Sequence, residues 1–206
     1  RYSSSAASDV YKRQVLVDIP KDVQFQKGNY KSAKEVVVET YKPKVKAELT
    51  DIEKAVEMIV KSKKPVIYSG GGVINAGTKA SDALTEFTRV TNFPITSTLQ
   101  GLGAFPGSDP QFLGMLGMHG TYEANNAMHE CDLMINIGAR FDDRITGRVD
   151  AFSPNSKKIH IDIDPSSINK IVKVDVAIVG DCLSVLSDML TTLSLIHISE
   201  PTRLSV

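Results

Sequence analysis

The sequence predicts an α/β protein of three layers, in which a mostly parallel sheet lies between helices on both faces. Short apolar runs rich in β-branched residues alternate with longer segments whose apolar residues recur every three or four positions. The apolar runs are nearly continuous, which is typical of strands buried on both faces. With 42% hydrophobic and 23% charged residues, the 206-residue chain is long enough to bury one core.

The first 48 residues show no clear helical period. Residues 1–14 are small and polar, and they lead directly into VLVDI at residues 15–19, which has the composition of a strand that ends at Pro20. Residues 21–48 are polar and rich in lysine, and we interpret them as a linker between domains. The folded domain is therefore expected to begin near Leu49 and to extend over residues 49–193.

The domain opens with a helix, then a strand, a glycine turn and a second helix. Thr50 and Glu53 form a predicted capping box at the start of the first helix. PVIYS at residues 65–69 is the strand, and Gly70, Gly71 and Gly72 are the turn. The apolar stripes of the two helices comprise Ile52, Ala55, Val56, Ile59 and Val60, and then Ala80, Ala83, Leu84, Phe87 and Val90.

The remainder of the domain continues the alternation. A strand at residues 94–99 leads to a glycine-rich loop, and after a second loop at residues 116–120 we expect a helix over Tyr122–Glu130. Three further strands are predicted within residues 132–138, 158–164 and 176–181. The stripe of the last helix is made of Leu183, Leu186, Met189, Leu190 and Leu193.

Charge and cysteine content exclude several classes of protein. Lys plus Arg and Asp plus Glu both number 24, so no field of one sign is available for nucleic acid or an anionic membrane surface. Cys131 and Cys182 are too few for a disulfide framework or a zinc site, and we interpret them as buried thiols of an intracellular protein. Without an apolar run of membrane-spanning length or a secretion signal, a soluble cytoplasmic protein is expected.

Ligands of parallel sheets bind beyond the carboxyl ends of the strands, so the segments that follow strands are the candidate site. SGGGVINAG at residues 69–77 follows the first domain strand, and its glycines let a backbone approach phosphate oxygens. The segment is not GxGxxG, and a tight turn explains its glycines equally well. Thr98 and Leu99, and then Met118 beside His119, add a hydroxyl and an apolar wall at the same edge, although ordinary packing also accounts for such a histidine.

Charged residues follow the later strands. GARFDDRITGR at residues 138–148 contains Arg140 and Arg144, whose planar guanidinium groups suit a diphosphate or a carboxylate, whereas a solvated loop is the alternative. Asp162 and Asp164 end another strand, where a carboxylate accepts hydrogen bonds from sugar or ribityl hydroxyls, with Mg²⁺ the less favoured ligand. With no nucleophile elbow or P-loop, these features indicate a nucleotide-binding domain that does not itself make bonds.

Six strings of the sequence together resemble the catalytic large subunit of acetolactate synthase, also called acetohydroxyacid synthase. They are VLVDIPKDVQ, KKPVIYSGGGVINAG, STLQGLGAFPGSD, LGMLGMHGTYEANNAMHECD, INIGARFDDRITG and IHIDIDPSSINK. The likeness covers residues 15–193. LGMHGTYEAN and RFDDR are specific to this family, whereas the glycine turn and DID also occur in other thiamine diphosphate enzymes, such as 2-oxo acid decarboxylases.

The resemblance implies the Rossmann-like central domain of a three-domain subunit. In that subunit the outer domains bind thiamine diphosphate and Mg²⁺, and the enzyme joins pyruvate to pyruvate or 2-oxobutanoate with loss of CO₂, in branched-chain amino acid synthesis. It also implies a dimer or tetramer of full-length chains and a regulatory small subunit. A non-catalytic flavin carrier is the competing interpretation from another class. This chain alone is expected to be inactive, with no catalytic residue and no metal ligand of its own.

The resemblance also assigns residues to ligands. Lys21, Met118, His119, Asp143 and Arg144 are expected to line the substrate channel, with Arg144 pairing to the carboxylate of the second oxo acid. The expected FAD contacts are Gly71, Thr98, Leu99, Leu116, Gly117, Met118, His119, Gly138, Ala139, Arg140, Phe141, Asp142, Asp162, Ile163, Gly180 and Asp181.

Two departures from the family pattern concern the ends of the chain. The family has Arg-Pro-Gly-Pro before VLVD, with that arginine on FAD, whereas residues 11–14 here are YKRQ. Residues 194–206 break off from the family sequence. We therefore expect residues 1–14 and 194–206 to be non-native, disordered flanks, and residues 15–48 to be the end of a thiamine-binding domain plus a linker.

Overall fold

The computed structural model describes residues 18–29 and 43–199. The chain divides into two units, one up to Lys42 and one from Pro43 onward. In the first unit, helix α1 comprises Lys21–Gln24, and the Pro20 carbonyl accepts hydrogen bonds from the first turn. This turn lies within the predicted linker, whose role between domains stays a prediction. The flank at residues 1–14, most of the predicted strand at residues 15–19 and linker residues 30–42 lie outside the described residues, and Asp18 and Ile19 are not in a strand.

The second unit alternates helices and strands. The helices are α2 (Leu49–Lys61), α3 (Gly71–Asn75), α4 (Thr78–Thr91), α5 (Tyr122–Glu130), α6 (Asp143–Thr146) and α7 (Cys182–Ser199). The strands are β1 (Pro65–Ser69), β2 (Ile95–Ser97), β3 (Phe112–Met115), β4 (Leu133–Ile137), β5 (Lys157–Asp162) and β6 (Val176–Val179). Single 3₁₀ turns comprise Leu99–Gly101 and Val149–Ala151. No helix among these is both long and apolar enough to cross a bilayer.

All six strands are parallel and lie in the order β3-β2-β1-β4-β5-β6. The predicted parallel sheet is thus confirmed, and its order is that of doubly wound nucleotide-binding folds. The direction in which successive strands are added to the sheet reverses between β1 and β4. This reversal leaves a crevice at the carboxyl ends of those two strands, which is where ligands of such sheets bind.

Helices cover both faces of the sheet, as predicted. On one face, Ile67, Ile135 and Ile161 pack in one buried cluster with the apolar stripes of α2, α4 and α7. On the other face, Tyr68 and Met134 pack with residues of α5 and of the segments that follow β4. Every residue of β1, β2 and β4 is buried, which explains their uninterrupted apolar sequences.

Several predicted details are wrong. Helix α2 begins at Leu49 with Glu48 as its N-cap and no side-chain cap, so Thr50 lies inside the helix and the predicted capping box does not form. Val60 and Val90, placed in the apolar stripes, are about half exposed near the ends of their helices. Helix α7 continues to Ser199, so residues 194–199 are helical and not disordered as predicted, and residues 200–206 lie outside the described part.

The sequence pattern also failed to reveal β3. This short strand lies at the sheet edge, is half-buried throughout, and pairs with β2 through an irregular register between Ile95 and Ser97. It contains Gly114 with φ +93°. Because an edge strand with a glycine irregularity buries no continuous apolar face, it has neither of the periods that predict strands.

Three glycines bring the backbones after β1 and β4 into contact. The Gly70 N–H donates to the Ile137 carbonyl and the Gly72 N–H to the Gly138 carbonyl, both at 2.9 Å. A Cβ on Gly72 would lie 2.7 Å from the Gly138 Cα, and a Cβ on Gly70 would overlap the Gly138 carbonyl. These glycines are therefore required by backbone packing at the crevice, whatever binds there.

Gly72→Ala is expected to destabilise the domain, because the new methyl group meets backbone that cannot rotate away. We expect the free energy of unfolding to fall by about 1 to 3 kcal/mol, as for other overpacked sites. Gly107→Ala is the matched control, since a Cβ there meets nothing within 4 Å and the φ angle is not positive. Urea denaturation of both variants checks this, and equal stabilities would contradict the proposed backbone contact.

Candidate functional site

The segments that follow the strands lie along one edge of the sheet. Hydrogen bonds continue the ladder beyond the strands, from Leu116 to Ser97, from Thr98 to Ser69, from Gly138 to Ile161 and from Gly180 to Asp162, at 2.8 to 3.1 Å. In each pair the first residue donates its backbone N–H to the carbonyl of the neighbouring strand. The structure therefore brings the predicted site segments of the second unit to a common carboxyl edge, while their roles stay predictions.

The loop after β4 is fixed by a buried asparagine. The side chain of Asn136 donates to the Ala139 carbonyl at 2.7 Å and accepts from the Ala139 N–H at 3.1 Å. Gly138 turns the chain there with φ +66°. A short polar side chain at the end of a strand thus closes the turn and orients the segment that follows it.

Phe141 anchors that segment in the domain. Its backbone has φ +53°, which is unfavourable for a bulky residue, and its side chain is only 2% exposed. The ring packs near Tyr68, Phe152 and His160, with centroid distances of 6.1, 6.0 and 5.1 Å. Burial of this aromatic side chain offsets the strained backbone, and only the backbone of Phe141 is available to a ligand.

The residues on either side of Phe141 point outward. Arg140, Asp142, Asp143 and Arg144 are all exposed, and within the described residues neither guanidinium forms an ion pair closer than 4.0 Å. A hydrogen bond shared with the Asp143 carboxyl lowers the pKa of Asp142, as do the Arg144 N–H and the charges of both arginines. Asp142 also caps α6 by accepting from the Arg144 N–H at 3.2 Å. This surface offers cationic groups to an anion.

The loops after β2 and β3 present apolar side chains. Leu99 is 66% exposed and Met118 75% exposed, and His119 is also exposed. Leu116 is buried in the core, so its side chain does not form part of this wall. The Thr98 hydroxyl accepts from the Gly101 N–H at 2.9 Å and keeps its own proton available as a donor.

Neighbouring glycines shape these loops. Gly117, with φ +107°, exchanges two hydrogen bonds of 3.1 Å with the side chain of Asn125. Gly71 is half-buried beside Gln100. The side chain of Asn125 thus fixes the loop that carries Met118 and His119.

The acidic residues after β5 and β6 have structural partners. One carboxylate oxygen of Asp162 accepts from the Asp164 N–H at 2.9 Å, and the residue keeps 8% of its surface exposed. Asp181 caps α7 by accepting from the Leu183 N–H at 3.0 Å. Gly180 is enclosed by Val185 and by backbone, and Ile163 is half-buried. In each of the two carboxylates, Oδ1 is thus occupied by a structural hydrogen bond.

Lys21 belongs to the first unit, where its ammonium group lies 5.9 Å from the centre of the Phe25 ring. Its assignment to the substrate channel stays a prediction. Cys131 and Cys182 are both free and buried, as expected, and burial raises the pKa of both thiols, that of Cys182 to about 12. Within the described residues no three His, Cys, Asp or Glu side chains converge.

Asn125, Asn136 and His160 shape the site and were not singled out from the sequence. Asn136 and His160 are polar residues within apolar, buried strands. A polar residue in such an apolar run is the signal that could have identified them. An open groove of about 400 Å³ lies elsewhere, between α4 and α7. Three of its six lining residues are charged, so the strand edge is the better candidate site.

Comparison with known proteins identifies the family of this domain. Residues 52–189 match the family described as thiamine pyrophosphate enzyme, central domain. The chain is 48% identical over 182 residues to the acetolactate synthase large subunit of Haemophilus influenzae, covering 87% of this chain and 31% of that protein. For acetolactate synthase isozyme 3 large subunit of Escherichia coli, the identity is 46% with the same coverage.

A third relative is archaeal, the probable acetolactate synthase large subunit of Methanocaldococcus jannaschii. It is 45% identical over 189 residues, which cover 90% of this chain and 32% of that protein. The resemblance predicted from the sequence strings is therefore confirmed, and the chain spans about a third of the length of these relatives.

Replacing the buried asparagine after β4 is expected to loosen the loop. In Asn136→Ala both the N–H and the carbonyl of Ala139 lose their partner, which typically costs about 1 to 3 kcal/mol. We also expect trypsin to cleave faster after Arg140 and Arg144 in this variant. Mass spectrometry of the digests measures the cleavage rate. Asn126→Ala, an exposed asparagine of α5, is the control, and equal cleavage of the two variants would show that Asn136 does not hold the loop.

Proposed function

The chain belongs to the thiamine pyrophosphate enzymes through their central domain, and from this we propose that it is the FAD-binding segment of an acetolactate synthase large subunit. The family match alone allows any thiamine-dependent enzyme. Three relatives with 45% to 48% identity, all called acetolactate synthase large subunits, favour this one. RFDDR and LGMHGTYEAN, which prompted the resemblance, both lie at the candidate site.

The observation that supports FAD most directly is the set of groups at the carboxyl edge. Arg140, without an ion-pair partner among the described residues, stands beside the crevice between β1 and β4 and suits the diphosphate. Asp162, one strand further, suits hydroxyl groups, and the exposed Leu99 and Met118 suit a flat apolar ring. Donors, acceptor and apolar wall therefore fit the three chemical parts of a flavin dinucleotide.

In the proposed enzyme FAD has no net part in the redox-neutral reaction. The work of this segment is thus to bind and to shape the substrate channel. We propose that Gly71, Thr98, Gly138 and Ala139 offer backbone or hydroxyl groups to the cofactor, together with the other residues predicted to contact it.

The substrate channel is proposed to run past the exposed residues next to the flavin site. Met118 and His119 on one loop and Asp143 and Arg144 on another would line it. Arg144 carries the positive charge that the carboxylate of the second 2-oxo acid requires. Its guanidinium forms no ion pair among the described residues, so it is available for that purpose.

The whole enzyme is proposed to condense two 2-oxo acids with loss of CO₂. Thiamine diphosphate and Mg²⁺ would be held by parts of the relatives that this chain does not match, since the match covers about a third of their length. The description of the relatives as large subunits also supports a small-subunit partner and assembly of full-length chains into oligomers.

Arg140 is expected to contribute more to FAD affinity than Arg144. A guanidinium that bridges diphosphate oxygens is worth about 1.5 to 3 kcal/mol, so Arg140→Ala is expected to weaken FAD binding by roughly ten- to a hundredfold. Arg144→Ala, four residues away and equally exposed, is the matched control and is expected to have little effect. Titrations that follow flavin fluorescence compare both with the parent chain.

The absolute affinity is expected to be micromolar or weaker, because the arginine that the family places before VLVD is replaced here and parts of the relatives that enclose the cofactor are not matched. Equal losses at the two arginines, or a greater loss at Arg144, would show that their cofactor and substrate roles are exchanged.

This chain alone is expected to form no acetolactate from pyruvate, even with thiamine diphosphate, Mg²⁺ and FAD supplied. The groups that activate thiamine are expected outside it, and the site described above contains only binding groups. A colorimetric acetoin assay against an enzyme-free blank tests this. Activity above the blank would contradict the assignment of a purely binding role.

A further inference from the structure

His160 lies directly beneath the candidate site and is unusual for a buried residue. Its side chain is fully buried on β5, and neither ring nitrogen has a hydrogen-bond partner among the described residues. Buried polar atoms without a partner are rare because leaving them unpaired is costly. A packing role alone would be filled better by an apolar side chain, so the imidazole requires a further explanation.

A carboxylate, that of Asp162, lies close to the ring. His160 Nε2 lies 3.8 Å from Asp162 Oδ2, too far for a hydrogen bond and close enough to form one after a small rotation. The other oxygen, Oδ1, is already held at 2.9 Å by the Asp164 N–H. His160 is therefore the group placed to fix the second oxygen of this carboxylate.

The loop after β4 also packs against the ring. Phe141 meets it edge to face, with a centroid distance of 5.1 Å and an interplanar angle of 77°. On the sheet, His160 is in register with Asn136, which ties down that same loop. His160 thus contacts two separate parts of the proposed cofactor site, the aromatic anchor beside Arg140 and the carboxylate at the end of β5.

We propose that His160 is a positioning residue that holds the Asp162 carboxylate in the orientation in which it accepts hydrogen bonds from the hydroxyl groups of FAD. On cofactor binding, the Nε2–H group of His160 donates to Oδ2, and the remaining lone pairs of the carboxylate face the ligand. Hydrogen bonds in ligand-free sites are often long and tighten only in the complex, which agrees with the 3.8 Å separation. This inference rests on the proposed function.

The test is a double-mutant cycle on FAD affinity in the 206-residue chain. His160→Met removes the donor and keeps the volume, and it is expected to weaken FAD binding about five- to tenfold. His160→Gln restores a donor on a side chain of similar size and is expected to stay within about twofold of the parent chain. In an Asp162→Asn background, His160→Met is expected to cause no further loss.

Each other result has a defined meaning. Equal losses of FAD affinity in His160→Met and His160→Gln would overturn the positioning role. The same loss for His160→Met with and without Asp162→Asn would also overturn it, because a purely structural residue would act independently of the carboxylate. No FAD binding by the parent chain would contradict the proposed function and this inference with it. Binding by the parent without coupling between the two residues would contradict the inference alone.

Thermal denaturation and circular dichroism report whether each variant is folded. Where a His160 variant does not fold, the ¹⁵N chemical shifts of the His160 ring in the parent chain replace the cycle. Addition of FAD is expected to shift the Nε2 signal, and addition to Asp162→Asn is expected to leave it unchanged. No shift in the parent chain at saturating FAD would overturn the proposal.

Discussion

The contact between the backbone after β1 and the backbone after β4 is the constraint on which the site depends. Gly70 and Gly72 can approach Gly138 only because they have no side chain, and their N–H groups bond across the gap. This contact lies where the sheet order reverses, so it sets the floor of the crevice. The glycines there are required by backbone packing, and a ligand binds in the crevice that this packing forms.

The strand and helix pattern was largely predictable from the sequence, because buried parallel strands and amphipathic helices differ in period. Strands β1 and β4 and helix α5 follow the predicted segments closely. The start of α2 was not predictable, because Thr50 and Glu53 have the spacing of a capping box whether or not the helix begins two residues earlier. Strand β3 was missed because it buries no continuous face.

The site was predictable only as far as its location. Since functional segments of a parallel sheet follow its strands, the sequence indicated which residues share an edge. It could not distinguish side chains that face a ligand from those that hold the loops. Phe141 and Leu116 are buried, and Asp181 caps a helix, although all three were grouped with exposed residues such as Arg140. Orientation depends on φ angles and tertiary packing, which one sequence does not reveal.

The loop after β4 shows how a charged surface depends on a buried one. Because Phe141 inserts between Tyr68, Phe152 and His160, the side chains of its neighbours Arg140 and Asp142 point outward to solvent. The strained φ of Phe141 is stable only while that packing persists. The arginines therefore take their positions from buried aromatic side chains, and a substitution in the aromatic cluster would move the charges without changing them.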